Sequence, residues 1–214
     1  MALTLHSYWR ATAPYRVRIA LNLKGLAFDY APVDLAAGEQ RGEAYRALNR
    51  QALTPTLTLD GGQVLTQSVA ILEWLEEAYP VPPLLPAAAA ARAVVRAMIG
   101  VVACDIHPLN NMRVQQQLAD LGVDEDGRAV WIRRWINDGF AALEPMVARH
   151  GAGFAFGAAP TLADCLLVPQ VYSAERYAVD LAPYPAITQA ARRCAAHPAF
   201  HAAHPDRQPD KPAK

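Results

Sequence analysis

From Pro80 the chain reads Pro80-Val81-Pro82-Pro83-Leu84-Leu85-Pro86, and no regular helix runs through such a stretch. Proline lacks the backbone donor and its ring clashes with the turn before it, so the helical pattern that ends near Tyr79 has to stop there. The 214-residue chain is thereby divided into a domain over 1–80, a proline-rich linker over 81–90 and a helical domain over 91–203, with a charged, proline-rich tail over 204–214 expected to be disordered. A hydrophobic fraction of 53% is ample for packed cores. Lys plus Arg and Asp plus Glu number 20 each, so no net field draws nucleic acid or an anionic membrane, and any anion must be held by a local cluster.

The beginning of the chain enters Leu3-Thr4-Leu5 without a basic and apolar leader, which argues against a signal peptide. The most apolar tract, Ala87 to Cys104, carries Arg92 and Arg96 one helical turn apart, which a membrane span tolerates poorly. The expectation is a soluble, cytoplasmic protein. Cys104, Cys165 and Cys194 are odd in number, far apart and without a Cys-x-x-Cys pair, so they read as reduced thiols. His197, His201 and His204 have helical spacing but bracket Pro198 and Pro205, and no metal site is expected there. There is no glycine-rich phosphate loop, nucleophile elbow or internal repeat.

Strand and helix signals alternate over the first eighty or so residues. Leu3–Ser7 reads as a strand, Tyr15–Lys24 as a helix with Gly25 at its C-terminal cap, and Phe28–Val33 as an edge strand marked by Pro32. Glu43–Leu48 reads as a short helix. Pro55 then opens a strand that Asp60-Gly61-Gly62 folds into a hairpin, and a helix follows from Ser68 to Tyr79. The order βαβ then αββα, with a proline at the head of the third strand, is the thioredoxin-like arrangement. Beyond the linker all segments have helical period. Examples are the 124–150 stretch with Trp131, Trp135, Leu143 and Val147, and the helix started by the cap Thr161-Leu162-Ala163-Asp164.

Thr54-Pro55 and Gln67-Ser68 form a candidate peptide clamp. If the Thr54–Pro55 bond is cis, the backbone before Pro55 turns outward and can pair with an extended ligand as an added strand. A carboxylate on that ligand then meets the N–H groups, the Ser68 hydroxyl and the positive end of the helix dipole. From the residues alone, a strand start at Pro55 and a simple helix cap at Ser68 remain equally open.

Several segments carry a resemblance: Tyr8-Trp9-Arg10, Arg16 to Gly25, Thr66-Gln67-Ser68, Asp105-Ile106-His107-Pro108-Leu109-Asn110-Asn111 and Asp164 to Val171. Together they resemble the zeta class of the glutathione transferases over residues 3 to about 200, with the bacterial maleylpyruvate isomerase branch nearest in His107 and Asn110-Asn111. The resemblance implies a thioredoxin-like domain followed by an all-helical one, glutathione as cofactor, a homodimer, and a small dicarboxylate substrate. It assigns the γ-glutamyl end to Gln67 and Ser68, the cysteinyl backbone to Thr54 and Pro55, and a further glutathione contact to Gln51. His107 and Asn111 match positions facing the glycine end or the cleft. Arg10 and Arg176 match arginines near the thiol and the substrate.

The implied reaction is isomerisation of maleylpyruvate or maleylacetoacetate in aromatic-compound degradation. A thiolate adds to the activated cis alkene, rotation follows about the new single bond, and the thiol leaves from the trans product. Lowering a thiol pKa by two units from ~8.5 requires about 2.7 kcal/mol of preference for the anion. A helix N-terminus supplies only about 0.3–1 kcal/mol, so hydrogen bonds must furnish the rest. Here the chain departs from the family: Ala11-Thr12-Ala13 stands where Ser-Ser-Cys is usual, and Met112-Arg113 where the maleylpyruvate branch carries two arginines. Thr12 is the remaining hydroxyl of that turn, as the thiolate donor, as the cap of the Tyr15 helix, or as both, since capping uses its oxygen and thiolate binding its proton. Arg113 is either a carboxylate contact or a solvated charge, and Arg176 either a substrate contact, the partner of Asp180 or an exposed charge. Two other functions stay open: glutathione transfer to another electrophile such as an α-halo acid, and glutathione binding without turnover.

Overall fold

The computed structural model describes residues 2–212. It divides into two compact units, one formed by the residues up to Pro83 together with those from Ala196 onward, the other by Leu84–Ala195.

In the first unit β1 (Thr4–Ser7), α1 (Thr12–Leu23), β2 (Asp29–Pro32), α2 (Glu43–Leu48), β3 (Thr56–Thr58), β4 (Val64–Thr66) and α3 (Ser68–Ala78) follow one another. The four strands lie in the order β2-β1-β3-β4, with β1 parallel to β2 and the other two pairings antiparallel. The parallel pair needs a crossover, which α1 supplies; β3 and β4 need only a tight turn. Gly61 and Gly62 make that turn at φ 88° and 87°, where any other side chain is strained. This is the thioredoxin-like arrangement read from the sequence.

Leu5, Val17, Ile19, Leu21, Leu57, Ile71, Leu72 and Leu75 are fully buried, so the strand alternation and the helical stripes of α1 and α3 meet in one core. Each such side chain contributes about 1.5–3 kcal/mol by leaving water. Helix α1 begins at Thr12, three residues before the expected Tyr15. Pro14 does not block that start, because it falls in the first turn, where a missing N–H breaks no helical bond. At its other end Gly25 (φ 64°) lets Leu26 N–H reach the Leu21 carbonyl at 2.9 Å. Lys24 is buried beside it, with Nζ 2.7 Å from Glu76 Oε2, 2.7 Å from Tyr79 O and 2.9 Å from Pro82 O. Those acceptors use all three ammonium protons, which offsets the cost of burying the charge.

The second unit holds α4 (Ala89–Gly100), α5 (His107–Asn110), α6 (Met112–Asp120), α7 (Glu125–His150), α8 (Leu162–Arg176) and α9 (Pro185–Ala195). A π-helical stretch, Val101–Ile106, joins α4 to α5. Gly139 of α7 admits Ile106 of that stretch, since a Cβ at 139 would stand 2.2 Å from Ile106 Cγ1. Val95, Ile136, Phe140, Leu166 and Ile187 form the buried centre. Helix α8 starts on the capping box expected at Thr161 and Asp164. Among the described residues, no helix is long and apolar enough to cross a membrane.

The end of the chain departs from expectation. Helix α10 (Pro198–Ala203) and the 3-10 turn Pro205–Arg207 belong with the first unit. Arg18 Nε donates to Ala203 O at 3.1 Å and Asn22 Nδ2 to Ala199 O at 3.0 Å. Residues 204–212, expected to be disordered, are instead fastened by Asp210, which accepts from the Trp9 N–H at 2.9 Å and the Tyr30 hydroxyl at 2.7 Å. Proline and charge suggest disorder when no partner is visible, and the partners here are about two hundred residues earlier in the chain. Residues 213 and 214 lie outside the described residues.

Candidate functional site

Seven of the candidate residues lie in the first unit, on three segments that end at or beside the sheet. The first is the turn after β1. Tyr8 O accepts from Ala11 N at 3.1 Å, and Tyr15 N–H makes the first bond of α1, to Ala11 O at 3.2 Å. Ala11 is therefore the N-cap, without a side chain to close the helix, and Thr12 is the first helical residue. The reading of Thr12 as the cap is corrected: its backbone is already helical, so its side chain does not occupy the capping position. Thr12 is half-buried, and its hydroxyl is left for another acceptor. Arg10 is exposed, its guanidinium 5.6 Å from the Trp9 ring and 6.0 Å from that of Tyr8.

Fully buried Arg18 holds this turn from beneath. Its Nη1 donates to Ser7 Oγ at 3.0 Å, its Nη2 to Trp9 O at 2.9 Å, and its charge lies 5.2 Å from the Tyr15 ring. Asp210 takes the Trp9 N–H from the other side. Neither residue was singled out as part of a site from the sequence. For Arg18 the available signal was a charge set within the apolar run Val17-Arg18-Ile19-Ala20-Leu21, because such a charge has to find acceptors when the run is buried.

The second and third segments carry the residues of the candidate clamp. Thr54–Pro55 is a cis peptide, and Pro55 is buried at the head of β3. Gln67 sits between β4 and α3 at φ 68° and ψ 113°, a backbone state that costs an ordinary residue about 1–3 kcal/mol. Its Nε2 donates to Gln51 Oε1 at 2.8 Å, which joins two candidate residues sixteen positions apart. Ser68 is the first residue of α3, and its Oγ accepts from Arg16 Nη1 at 3.1 Å. Because that bond uses the hydroxyl oxygen as acceptor, the serine proton is left to donate outward. Arg16 is 2% exposed, so its charge acts from below, through little water, on the same helix end that already carries the positive dipole. It too escaped the sequence reading. The arrangement suits a carboxylate: a helix N-terminus, a hydroxyl donor and a buried cation behind it.

His107, Asn111, Arg113 and Arg176 belong to the second unit. His107 is half-buried and opens α5, where the π-helical stretch ends. Asn111 is committed to the start of α6: Oδ1 accepts from Arg113 N at 3.0 Å and Val114 N at 3.2 Å, and Nδ2 donates to Pro108 O at 2.9 Å. Met112 and Arg113 are exposed. Arg176 closes α8 with its guanidinium 5.6 Å from the Tyr177 ring and 5.8 Å from that of Tyr172. Asp180, its alternative partner, instead accepts from Ala182 N at 3.0 Å. The Tyr177 hydroxyl donates to Gln115 Oε1 at 3.4 Å, which ties the end of α8 to α6.

Residues 13–78 match the family model described as the glutathione S-transferase N-terminal domain. Over 210 residues the chain is 49% identical to a maleylpyruvate isomerase from a Ralstonia species, covering 96% of this chain and 98% of that one. A solved holo structure of a maleylpyruvate isomerase, described as a bacterial glutathione S-transferase of the zeta class, superposes with a TM-score of 0.94 at 48% identity, covering 98% of this chain and all of the other. The chain belongs to the zeta-class glutathione transferases. A further solved structure, a maleylacetoacetate isomerase from Anaeromyxobacter dehalogenans, superposes with a TM-score of 0.90 at 46% identity over 99% of this chain and 98% of its own. That neighbour holds dicarboxyethyl glutathione and citrate in its active site. Within this zeta-class chain, Ala11-Thr12-Ala13 is the turn where the class resemblance implies a serine, and the backbone of Trp9, two residues before it, is held by Arg18 and Asp210.

Proposed function

We propose that the chain is a glutathione-dependent cis–trans isomerase acting on maleylpyruvate or maleylacetoacetate. The observation that carries this reading is the N-terminus of α3, where Ser68, Gln67 and buried Arg16 make a carboxylate seat, within a chain alike over nearly its whole length to such isomerases. The fit with glutathione is chemical. Its γ-glutamyl carboxylate meets the Ser68 donor and the α3 N-terminus, while Gln51 and Gln67 supply amide groups alongside.

When bound, glutathione supplies the nucleophilic thiol, whose reversible addition turns the cis double bond into a single bond able to rotate. The protein's part is to hold and to polarise. The N–H groups that open α1 have no helical acceptor, and they point their partial positive charge at the turn where Thr12 presents its hydroxyl. Thr12 donates to the thiolate in place of the usual serine. The class resemblance assigns Arg10 and Arg176 each to a carboxylate of a maleyl substrate, and the aromatic rings beside each guanidinium limit its freedom before binding. Arg113 is a further cation for a carboxylate, and the class resemblance assigns His107 and Asn111 to the glycine end of glutathione or to the cleft and Thr54-Pro55 to its cysteinyl backbone. The protein works in the cytoplasm as a homodimer, a state that sedimentation equilibrium tests directly.

The enzymatic test follows the enol absorbance of maleylpyruvate, and in parallel of maleylacetoacetate, with catalytic glutathione and then without it. Acceleration that depends on glutathione supports the reading, and no acceleration of either substrate sinks it. Replacement of the usual serine by Ala11 favours one second reading, glutathione transfer to another electrophile such as an α-halo acid. Consumption of glutathione in stoichiometric amounts distinguishes it from isomerisation.

A further inference from the structure

The loop that carries Gln51 and Thr54 is shaped by two residues that the functional reading leaves unused. Tyr45 on α2 and Asn49 directly after it are 7% and 5% exposed. The Tyr45 hydroxyl donates to the Leu53 carbonyl at 2.8 Å, and Asn49 Nδ2 donates to the same oxygen at 2.8 Å. The Tyr45 oxygen also lies 2.7 Å from Thr56 Oγ1. Having given its own proton to Leu53, it accepts the threonine proton. Asn49 Oδ1 accepts the Gln51 N–H at 3.0 Å, so one side-chain amide holds both ends of the 51–53 segment. The Ala52 N–H bonds to Asn49 O at 2.9 Å, which fixes Ala52 at φ 54° without a glycine.

Two buried donors on one carbonyl decide the attitude of a whole peptide plane. The Leu53–Thr54 bond is trans, and a trans peptide points its C=O and N–H in opposite directions. With the Leu53 oxygen drawn onto Tyr45 and Asn49, the Thr54 N–H faces away from them, and among the described residues no backbone acceptor pairs with it. We infer that Tyr45 and Asn49 are positioning residues for the cofactor: by gripping the Leu53 carbonyl they aim the Thr54 N–H at the cysteinyl carbonyl of an extended glutathione. The inference rests on the glutathione reading above. A donor fixed in advance does not have to be ordered when the ligand arrives, and the ordering cost saved appears as affinity.

The test is a cycle between protein and ligand, read by calorimetric titration of the full chain. The ligands are glutathione and an analogue in which the cysteinyl–glycyl peptide bond is replaced by a trans carbon–carbon double bond, which keeps the thiol, both carboxylates and the extended geometry, adds no charge, and cannot accept the Thr54 proton. Tyr45→Phe retains the ring and its edge contact with His6 while removing the hydroxyl. Wild type is expected to bind the analogue roughly tenfold more weakly than glutathione, the worth of one hydrogen bond. Tyr45→Phe is expected to bind glutathione roughly tenfold more weakly than wild type, yet to match wild type on the analogue, because the lost aim no longer matters there. Asn49→Asp, which keeps an acceptor for Gln51 and removes the donor to Leu53, is read in the same way and serves if circular dichroism shows Tyr45→Phe unfolded. Wild-type binding of glutathione with both variants unchanged, or with the two ligands weakened alike, overturns this inference alone. A wild type that does not bind glutathione overturns the functional reading and this inference with it.

Discussion

Helices α8 and α1 begin in opposite ways. At the start of α8 the Asp164 carboxylate, fully buried, accepts from Ala155 N at 2.7 Å, Thr161 N at 2.8 Å and Thr161 Oγ1 at 3.0 Å, with Cys194 Sγ at 3.5 Å. Burial pushes that carboxyl up from its usual range while the hydrogen bonds pull it down, and the same burial together with the adjacent carboxylate pushes the Cys194 thiol up. At the start of α1 the capping position is Ala11, which offers no side-chain acceptor at all. A closed start spends its donors on the fold. An open one leaves them without a side-chain acceptor.

The largest effect that sharpens this contrast is expected from Asp164→Ala, which strands several buried donors at once. A loss of about 3–5 kcal/mol in stability should appear as a sharply lowered melting temperature. A loss under about 1 kcal/mol, within the range of an ordinary exposed cap, would break the comparison. Thr12→Val should do the reverse, leaving the melting temperature nearly unchanged while removing the thiolate absorbance of added glutathione near neutral pH. The expected fall in kcat/KM is roughly a hundredfold, as for other donors to a developing anion. Unchanged turnover would assign the thiolate to backbone N–H groups of α1.

Arg176→Ala comes next, with KM for the dicarboxylate raised about tenfold and binding of glutathione retained. An equal loss in glutathione binding would show that the arginine serves the cofactor. The smallest effect is expected from Asp210→Ala. It loosens the Trp9 N–H without touching the ligand, and a threefold to tenfold fall in kcat/KM corresponds to about one hydrogen bond. Asp210→Asn, which can still accept from Trp9, should recover most of it.

The elements were largely legible because they follow local rules. The strand alternation, the Asp60-Gly61-Gly62 turn, the Gly25 stop and the Thr161–Asp164 capping box each lie within a few residues, so each could be read from spacing. Thr12 shows the limit. The Pro14 ring was compatible with a helix start on either side, and the start three residues early moved the capping position onto Ala11. The candidate clamp was legible as residue types, whereas the hydrogen bonds among them were not. Nothing in the spacing of Gln51 and Gln67 requires their amides to meet, or makes Arg16 the group that holds Ser68.

What the sequence determined by itself is the set of elements, the break at Pro80–Pro86 and the residue types of the clamp, since backbone sterics and periodicity act over a few residues. The tertiary structure alone decided how the clamp and the turn after β1 are held. Arg18 finds Ala203 185 positions away, and Asp210 finds Trp9 across 201. A buried charge takes whichever acceptors the packed chain brings to it, and that choice is made only when the core closes.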